Sequence, residues 1–507
     1  MIFATQTDSD KVTFLVALAE ELQLDVEQAI EAGLSLHRVE RFIFDKVHEI
    51  GFAAVEQLLH GQGDGDLGEA VTTEAGQVLT RSGEPVARPV RTVFGLHTFH
   101  AFVYSPGPNQ KIALRPVDAR LQLPPGRASY LFEEFSQFFC VDQVFGAAQR
   151  GIHLTLKQTV SVNSLEQINQ RLGSQAEAFL DQLPTPPAAE EGELLIFTGD
   201  GKGVPMVQQD AAKLLPFEPS DRPGNRRMAT LAGVYSVDRH VRPPEEIVAA
   251  LFRDGQRPRR DRRPRPRFKH IRGSFARLYN ADTDDPTVVP GAFEAFAWAN
   301  TQTTERLQPG QVLIRLMDGQ PSLWNAADAC LDVEPERTVD ILDIVHVSQY
   351  VWKAAKALHR SFEHREAFAR ERLLRILQGD VRGVISGLRQ MATKRNLTGP
   401  AKRDMAQVCG YFEKNAARMR YDEYLREGYP IASGVIEGAC RHFVKDRMER
   451  SGMRWCLAGA QAMLNVRAIY LSSYWDDFQT WRIAQEQQHM HPHRNLIQNY
   501  SPVTIGA

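Results

Sequence analysis

The chain has 507 residues, enough for about three domains, and its 43% hydrophobic and 24% charged content is ordinary for a folded protein. It has no apolar run near the roughly 18 residues that cross a bilayer, and its start has no basic segment followed by an apolar stretch, so we predict neither a membrane span nor a signal peptide. The five cysteines are scattered without a CxxC pair, which argues against a zinc site of the usual spacing and favours a reducing cytoplasm.

The first part of the chain predicts an α+β region. Apolar residues recur at helical spacing within residues 11–60, as in Leu15, Leu18 and Leu22, and we assign residues 1–75 to a helical N-terminal region. Strand-like patterns then run from about 77 to 123 and helices return after 128, so we assign 76–182 to a small strand region followed by helices.

The helices before residue 182 could form a helix-turn-helix. We expect the first helix to end near Gly151 and the second to begin after Ser161 or Asn163, both good helix caps. The second helix would present four polar side chains to bases or phosphates, namely Gln167, Asn169, Gln170 and Arg171. The alternative is a plain helical hairpin with no role in DNA reading.

A proline-rich hinge at 183–193 marks the clearest domain boundary. The buried-strand run Leu194–Phe197 follows it, and further strands are predicted at 226–238, 311–319 and 338–347, with helices between the later ones. This order predicts a mixed α/β sheet with helices packed on it. Residues 348–430 are mostly helical.

A strongly basic segment interrupts this region, although the net charge of the chain is only −2. Between Arg257 and Arg272 nine Lys or Arg residues stand against one Asp. Because local surplus charge attracts phosphate, we predict DNA contacts here. The predicted contacts are Arg259, Arg260, Arg262 and Arg263. The alternative is a solvated loop.

Two aspartates follow predicted buried strands. Asp200 and Asp318 each come after an apolar run and before a glycine that would let the backbone turn. Carboxylates at strand ends face a common crevice, as catalytic residues often do. The alternative for each is a common Asp-Gly turn.

A third carboxylate, Glu437, lies on a helix that we expect to begin at Ser433 as its N-cap. Glu437, Arg441 and Lys445 recur at four-residue steps and would form one stripe. We interpret Glu437 as facing a metal while the two basic residues meet phosphates. The alternative is a solvent-facing ion pair between Glu437 and Arg441.

Asp200, Asp318 and Glu437 could together hold two Mg²⁺ (or Mn²⁺) ions about 4 Å apart, one activating the attacking oxygen and one stabilising the leaving oxygen. Asp343 and His346 are possible auxiliary residues that orient DNA or a carboxylate. Otherwise His346 is a buried polar residue.

These segments resemble the DDE transposases of bacterial insertion sequences, and of these the ISKra-type most closely. The motifs that carry the resemblance are TGDGKGVPM, LIRLMDGQPSLW and above all YPIASGVIEGACRHFVKDRMERSGMRW, and the resemblance covers about 194–470. It implies an RNase H-like catalytic core at 194–360 and 431–470, a helical insertion at 361–430 and a C-terminal tail at 471–507.

The resemblance places the family's acidic triad on Asp200, Asp318 and Glu437. It implies metal-dependent strand cleavage and transfer at terminal inverted repeats, with transposon ends and target DNA as partners. On this basis we expect a homodimer or higher oligomer in the bacterial cytoplasm near the nucleoid, with Arg441, Lys445 and Arg447 contacting DNA. The alternatives are a nuclease or resolvase of the same fold and a catalytically idle DNA-binding protein.

Overall fold

The computed structural model describes residues 8–214, 224–254, 263–280, 283, 287–450 and 452–501. The chain divides into two compact units, the first made of Met1–Asn169 with Trp475–Ala507 and the second of Gln170–Tyr474. In these described ranges no helix has the length and apolar character that a membrane crossing needs.

The first unit combines helices with short antiparallel strands. Its helices, of which α6 continues into the second unit, are α1 (Asp8–Glu31), α2 (Leu36–His60), α3 (Pro116–Leu121), α4 (Tyr130–Asp142), α5 (Phe145–Leu156), α6 (Val162–Leu180) and α19 (Trp475–Met490). Its strands are β1 (Ala70–Thr72), β2 (Val78–Arg81), β3 (Val86–Thr92), β4 (Gly95–Ala101) and β5 (Tyr104–Ser105). The strands form a three-stranded sheet, β1-β2-β5, and a β3-β4 hairpin.

The predicted helix-turn-helix falls on α5 and α6. The first helix runs past Gly151 to Leu156, and the second begins after Ser161, whose hydroxyl accepts a hydrogen bond from the Ser164 amide. Gln167 and Gln170 are exposed. Asn169 is not available to DNA as predicted, because it is buried and its side-chain amide donates to Gln137 at 2.9 Å.

The second unit is built on a five-stranded sheet in the order β12-β11-β6-β7-β8. The strands are β6 (Leu194–Pro205), β7 (Arg226–Val237), β8 (Arg267–Ser274), β11 (Val312–Met317) and β12 (Thr338–Leu342). Strand β7 pairs antiparallel with both β6 and β8, whereas β11 pairs parallel with β6 on one side and with β12 on the other. A separate hairpin pairs β9 (Arg277–Tyr279) with β10 (Thr287–Val289).

Asp200 does not end its strand, which corrects the sequence prediction. Strand β6 continues through Gly199, Gly201 and Gly203 to Pro205, and Asp200 pairs with Leu231 of β7. The full-length antiparallel ladder satisfies the backbone hydrogen bonds of the glycine-rich stretch, so the chain has no need to turn there. The parallel partner β11 pairs only with Leu194–Phe197, so Asp200 lies beyond the parallel part of the sheet.

Helices cover the sheet, and helices also make up most of the long segment before Glu437. They are α7 (Gln208–Leu214), α8 (Pro244–Phe252), α9 (Gly291–Arg306), α10 (Pro321–Cys330), α11 (Ile344–Leu358), α12 (Phe362–Leu377), α13 (Val381–Lys394), α14 (Gly399–Asn415), α15 (Tyr421–Arg426), α16 (Gly434–Ala439), α17 (Asp446–Met448) and α18 (Leu457–Leu471). A π-helical turn, Cys440–Lys445, joins α16 to α17.

One face of the sheet shares its core with the helices between β12 and α16. Ile196, Ile314 and Ile341 from three neighbouring strands belong to the same buried cluster as Leu388 of α13 and Phe412 of α14. The helices of residues 361–430 therefore complete the core on this side of the sheet, because their apolar side chains bury those of the strands.

The opposite face of β6 packs against α9 at Gly199. A Cβ added there would lie 2.5 Å from Cζ of Phe296, so only glycine lets the ring approach the strand. We predict that Gly199→Ala lowers the free energy of unfolding by about 1–3 kcal/mol, because the ring and strand must move apart. Urea unfolding monitored by circular dichroism measures this loss.

Gly203→Ala is the matched control in the same strand, since its added Cβ would meet nothing closer than Arg226 at 3.7 Å. We expect a change within about 0.5 kcal/mol for this variant. Equal effects of the two substitutions would show that strand propensity, and not the Phe296 contact, sets the requirement at Gly199.

Candidate active site

Three aspartates lie near one another in the second unit. In the parallel ladders Phe197 is paired with Arg315 and Leu316 with Ile341. These parallel pairings end at Phe197, Met317 and Leu342, and Asp200, Asp318 and Asp343 follow within three residues of those ends. The charges of Asp200 and Asp343 both act on the Asp318 carboxyl, so the three carboxylates lie near one another just beyond the parallel ladders, as an aspartate row at one edge of the sheet.

Asp343 is the N-cap of α11 and is completely buried. One carboxylate oxygen accepts the Val345 amide at 2.6 Å. The other accepts the Ser433 amide at 3.0 Å and also the Ser433 hydroxyl. The nearby Ile344 amide donates to the Ile431 carbonyl at 2.9 Å. These contacts join the end of β12 to the chain just before α16.

Ser433 therefore has a different role from the one predicted. It does occupy the N-cap position of α16, but its side chain makes no capping hydrogen bond there. Its hydroxyl binds Asp343 instead. The contact between Ser433 and Asp343 places the first turn of α16, which carries Glu437, beside the end of β12.

Glu437, His346 and Asp343 form the tightest cluster at this edge. Each offers one ligand atom, and these atoms all lie within 4.8 Å of one another. His346 Nε2 lies 3.8 Å from Glu437 Oε1, and the two side chains are 28% and 36% exposed. Asp343 is thus the buried member of the cluster, whereas His346 and Glu437 are partly open to solvent.

Asp200 lies close to this group and beside Cys440, because its charge acts on the buried Cys440 thiol and on Glu437. Burial, followed by the charge of Asp200, raises the pKa of the Cys440 thiol well above its ordinary value. The thiol therefore stays protonated beside Asp200.

Electrostatic repulsion among the carboxylates changes their pKa values. Burial is the main cause that raises the pKa of Asp318, and the charges of Asp200 and Asp343 raise it further against the opposing effects of the Gln320 amide and His346. Burial likewise raises the pKa of Glu437, with Asp343 and Asp200 adding to it and His346 opposing it. Both carboxyls are thus held in a place that disfavours their ionised form, and a cation bound between them would favour that form.

A groove of about 750 Å³ opens beside Asp318 between α10, α11 and α14. Tyr350 and Tyr411 stack in its wall with ring centroids 3.7 Å apart, and Lys414 adds a positive charge. A Cβ on Gly319 would lie 2.4 Å from the Tyr411 ring, so glycine is needed after Asp318 for this close approach and not for a left-handed turn. The groove leads from Asp318 along α14.

The predicted basic stripe after Glu437 is only partly present. The π-helical turn changes the helical period after Ala439, while Arg441 and Lys445 remain exposed. Arg447 is fully buried with its guanidinium 5.1 Å from the Trp455 ring centroid, so the predicted contact between Arg447 and DNA is wrong in this conformation. A buried guanidinium packed on an indole supports the fold.

The basic segment is described only in part. Arg263 is exposed. Arg259, Arg260 and Arg262 lie outside the described residues. Their predicted contacts with DNA stay predictions.

Sequence reasoning missed Cys440 and the role of Ser433. Cys440 lies three residues after Glu437, and that spacing alone puts both on one side of a helix. Nothing local signals the Ser433–Asp343 contact, because the two residues are 90 positions apart.

We predict that Asp318→Asn stabilises the metal-free protein. A carboxyl whose folded-state pKa is raised contributes stability below its ordinary pKa and loses it as pH rises through the folded value. In a chelating buffer the variant should therefore melt about 1–3 °C above the wild type at pH 8. The difference should shrink as the pH falls through the raised pKa of the wild-type Asp318 carboxyl, where that carboxyl takes up its proton.

Added Mn²⁺ should reverse this order, because it stabilises the wild type more than the variant. Asp332→Asn, at an exposed carboxylate of the same unit, should change neither melting temperature nor metal response. A wild type that stays equal to or above Asp318→Asn at every pH without metal would rule out electrostatic strain at this site.

Neither protein-family profiles nor curated protein sequences match the chain. Among solved structures it is similar to the Drosophila P element transposase strand transfer complex, with 10% sequence identity over 68% of this chain and 80% of that one. The TM-score of 0.22 is too low to establish a common fold or function.

Proposed function

We propose that this protein is a DNA transposase that cleaves and transfers DNA strands with the help of divalent metal ions. The observation that supports this most is the row of Asp200, Asp318 and Asp343 across one sheet edge, with Glu437 brought against it by the Ser433 contact. Carboxylates gathered at one edge with raised pKa values fit a site for hard divalent cations. Phosphodiester chemistry is a main use of such sites.

Asp200, Asp318 and Glu437 are the proposed metal ligands. Bound Mg²⁺ or Mn²⁺ would activate the attacking water or hydroxyl and stabilise the leaving oxygen. The chain itself supplies their placement: the aspartates follow the parallel part of the sheet, and the Ser433–Asp343 contact orients the helix of Glu437. The buried, protonated Cys440 thiol lies beside Asp200.

We further propose that the five-stranded sheet is the RNase H-like core that the sequence resemblance implies. Its support is the strand order, in which three antiparallel strands continue into two parallel ones with the carboxylates at one edge. The resemblance to ISKra-type enzymes of bacterial insertion sequences supplies the finer assignment. It also leads us to propose double-stranded transposon ends and target DNA as partners, assembly as a homodimer or higher oligomer, and action in the bacterial cytoplasm.

With Mn²⁺ or Mg²⁺, the purified chain should nick DNA that carries the inverted repeats flanking its coding region and join the ends to a target plasmid. Asp318→Ala and Glu437→Ala should each reduce both steps by about a thousandfold or more while DNA binding persists, because each removes a metal ligand. Gel assays of nicked and joined products measure both steps.

Asp332→Asn is the control and should retain full activity, since its side chain is exposed and the helix α10 separates it from Asp318 in the chain. Cleavage without joining would favour a nuclease or resolvase. Undiminished cleavage by Asp318→Ala or Glu437→Ala would refute the site.

DNA binding should depend on the exposed Arg441 and Lys445. We expect their double substitution by Ala to weaken binding and to reduce the slope of log affinity against log salt by about 2, one for each lost phosphate contact. Fluorescence anisotropy over a range of salt concentrations measures that slope.

Arg426→Ala is the matched control, because its exposed guanidinium is already paired with Asp422 at 3.5 Å. It should leave the slope unchanged. A slope that the Arg441 and Lys445 double variant also leaves unchanged would place the phosphate contacts elsewhere.

A further inference from the structure

We propose that His346 is a metal ligand, and that Asp343, His346 and Glu437 form a mixed nitrogen and oxygen pocket that takes a first-row transition dication in preference to Mg²⁺. This inference rests on the proposed function, because it concerns an ion at the same sheet edge. It adds a nitrogen donor to a site that would otherwise offer only carboxylate oxygens.

The spacing of the three side chains suits one ion. Two atoms each bound about 2.1 Å from an ion lie between about 3.0 and 4.2 Å apart, depending on the angle between them. The 3.8 Å from His346 Nε2 to Glu437 Oε1 falls in this range, and all three donor atoms lie within 4.8 Å of one another. Movements of a few tenths of an ångström would complete the set.

The same 3.8 Å is too long for a hydrogen bond between His346 and Glu437. In the described parts of the chain His346 makes no hydrogen bond, although Glu437 faces it. A histidine whose only task was to orient Glu437 would lie closer. An imidazole held near two carboxylates without bonding either is placed as a ligand would be.

Asp343 is also positioned to bind a metal ion. Its buried carboxylate is fixed by the Val345 amide on one oxygen and by the Ser433 amide and hydroxyl on the other. The oxygen that accepts only from Val345 keeps a lone pair for a cation. Hydrogen bonds from such supporting groups are how proteins hold ligand carboxylates in position.

The donor set determines which ion binds. Mg²⁺ strongly prefers oxygen ligands and retains its waters, whereas imidazole nitrogen is a good ligand for first-row transition ions. Because the ligands Asp343 and Glu437 are acidic and the pocket is partly open, a dication can enter with water completing its coordination. His346 thus favours a transition ion over Mg²⁺.

Mn²⁺ is the probe, since its electron spin reports on bonded nitrogen. We expect pulsed electron paramagnetic resonance of the full chain with Mn²⁺, without DNA, to show nitrogen hyperfine modulation. His346→Ala should abolish the modulation and weaken Mn²⁺ binding by about tenfold or more while changing Mg²⁺ binding much less. Calorimetric titration with each ion measures the two affinities.

His442→Ala is the matched control, because His442 is an exposed histidine of the neighbouring turn that pairs with Asp446 at 2.9 Å. It should keep the modulation and both affinities. Absence of nitrogen modulation in the wild type, or its persistence in His346→Ala, would overturn the inference.

The spectrum requires no DNA chemistry, so its result is separate from that of the cleavage assay. Nitrogen modulation in a protein that never cleaves DNA would support the ligand assignment and refute the transposase. DNA cleavage by a protein that shows no nitrogen modulation would support the transposase and refute the assignment of His346 as a ligand.

Discussion

The contact between Ser433 and Asp343 decides where the last carboxylate of the site lies. Asp343 belongs to the end of a central strand, and Ser433 returns to it after a helical segment of 90 positions. With amide and hydroxyl both bound to one carboxylate, the first turn of α16 has little freedom of position. Glu437, four residues on, is thereby brought to the edge where Asp200 and Asp318 follow the parallel part of the sheet.

Gathering these carboxylates is costly for the fold. Burial and mutual repulsion raise the pKa values of Asp318 and Glu437, and the nearby His346 side chain opposes this rise in both. The rest of the unit compensates with a dense apolar core in which the strands and the helices of residues 361–430 pack together. Such a balance between strain at the site and packing elsewhere is typical of active sites, where function takes precedence over local stability.

Much of the second unit could be predicted from local patterns, because apolar runs and helical periods reflect burial directly. The mixed sheet and the helices between β12 and α16 follow from such patterns. The extension of β6 through Asp200 could not, since Gly-Asp-Gly-Lys-Gly looks like a turn until its distant partner strand is known. The burial of Arg447 could not be predicted for a similar reason. The π-helical turn shifts the faces of the helix, and no local residue pattern indicates that turn.

In the candidate site too, local sequence patterns predicted some features and long-range contacts determined the others. Asp200, Asp318 and Glu437 could be singled out because each follows a recognisable pattern of its own. Their convergence depends on ladder registers and on the Ser433 contact, which are long-range properties. Asp343 and His346 carried only a weak signal in the chain, yet Asp343 stands in the aspartate row and His346 beside Glu437.

The π-helical turn between α16 and α17 has a consequence for how this segment could change in evolution. Such a turn holds one residue more than the α-helix around it, so it can arise by a single inserted codon. Deleting that extra residue would restore the α-helix and leave the flanking faces unchanged, whereas winding the same six residues, Cys440–Lys445, as an α-helix would rotate everything after them by about 100° about the helix axis. In that second case Arg447 would turn away from Trp455, so the winding of this one turn determines whether a positive charge supports the fold or joins the surface.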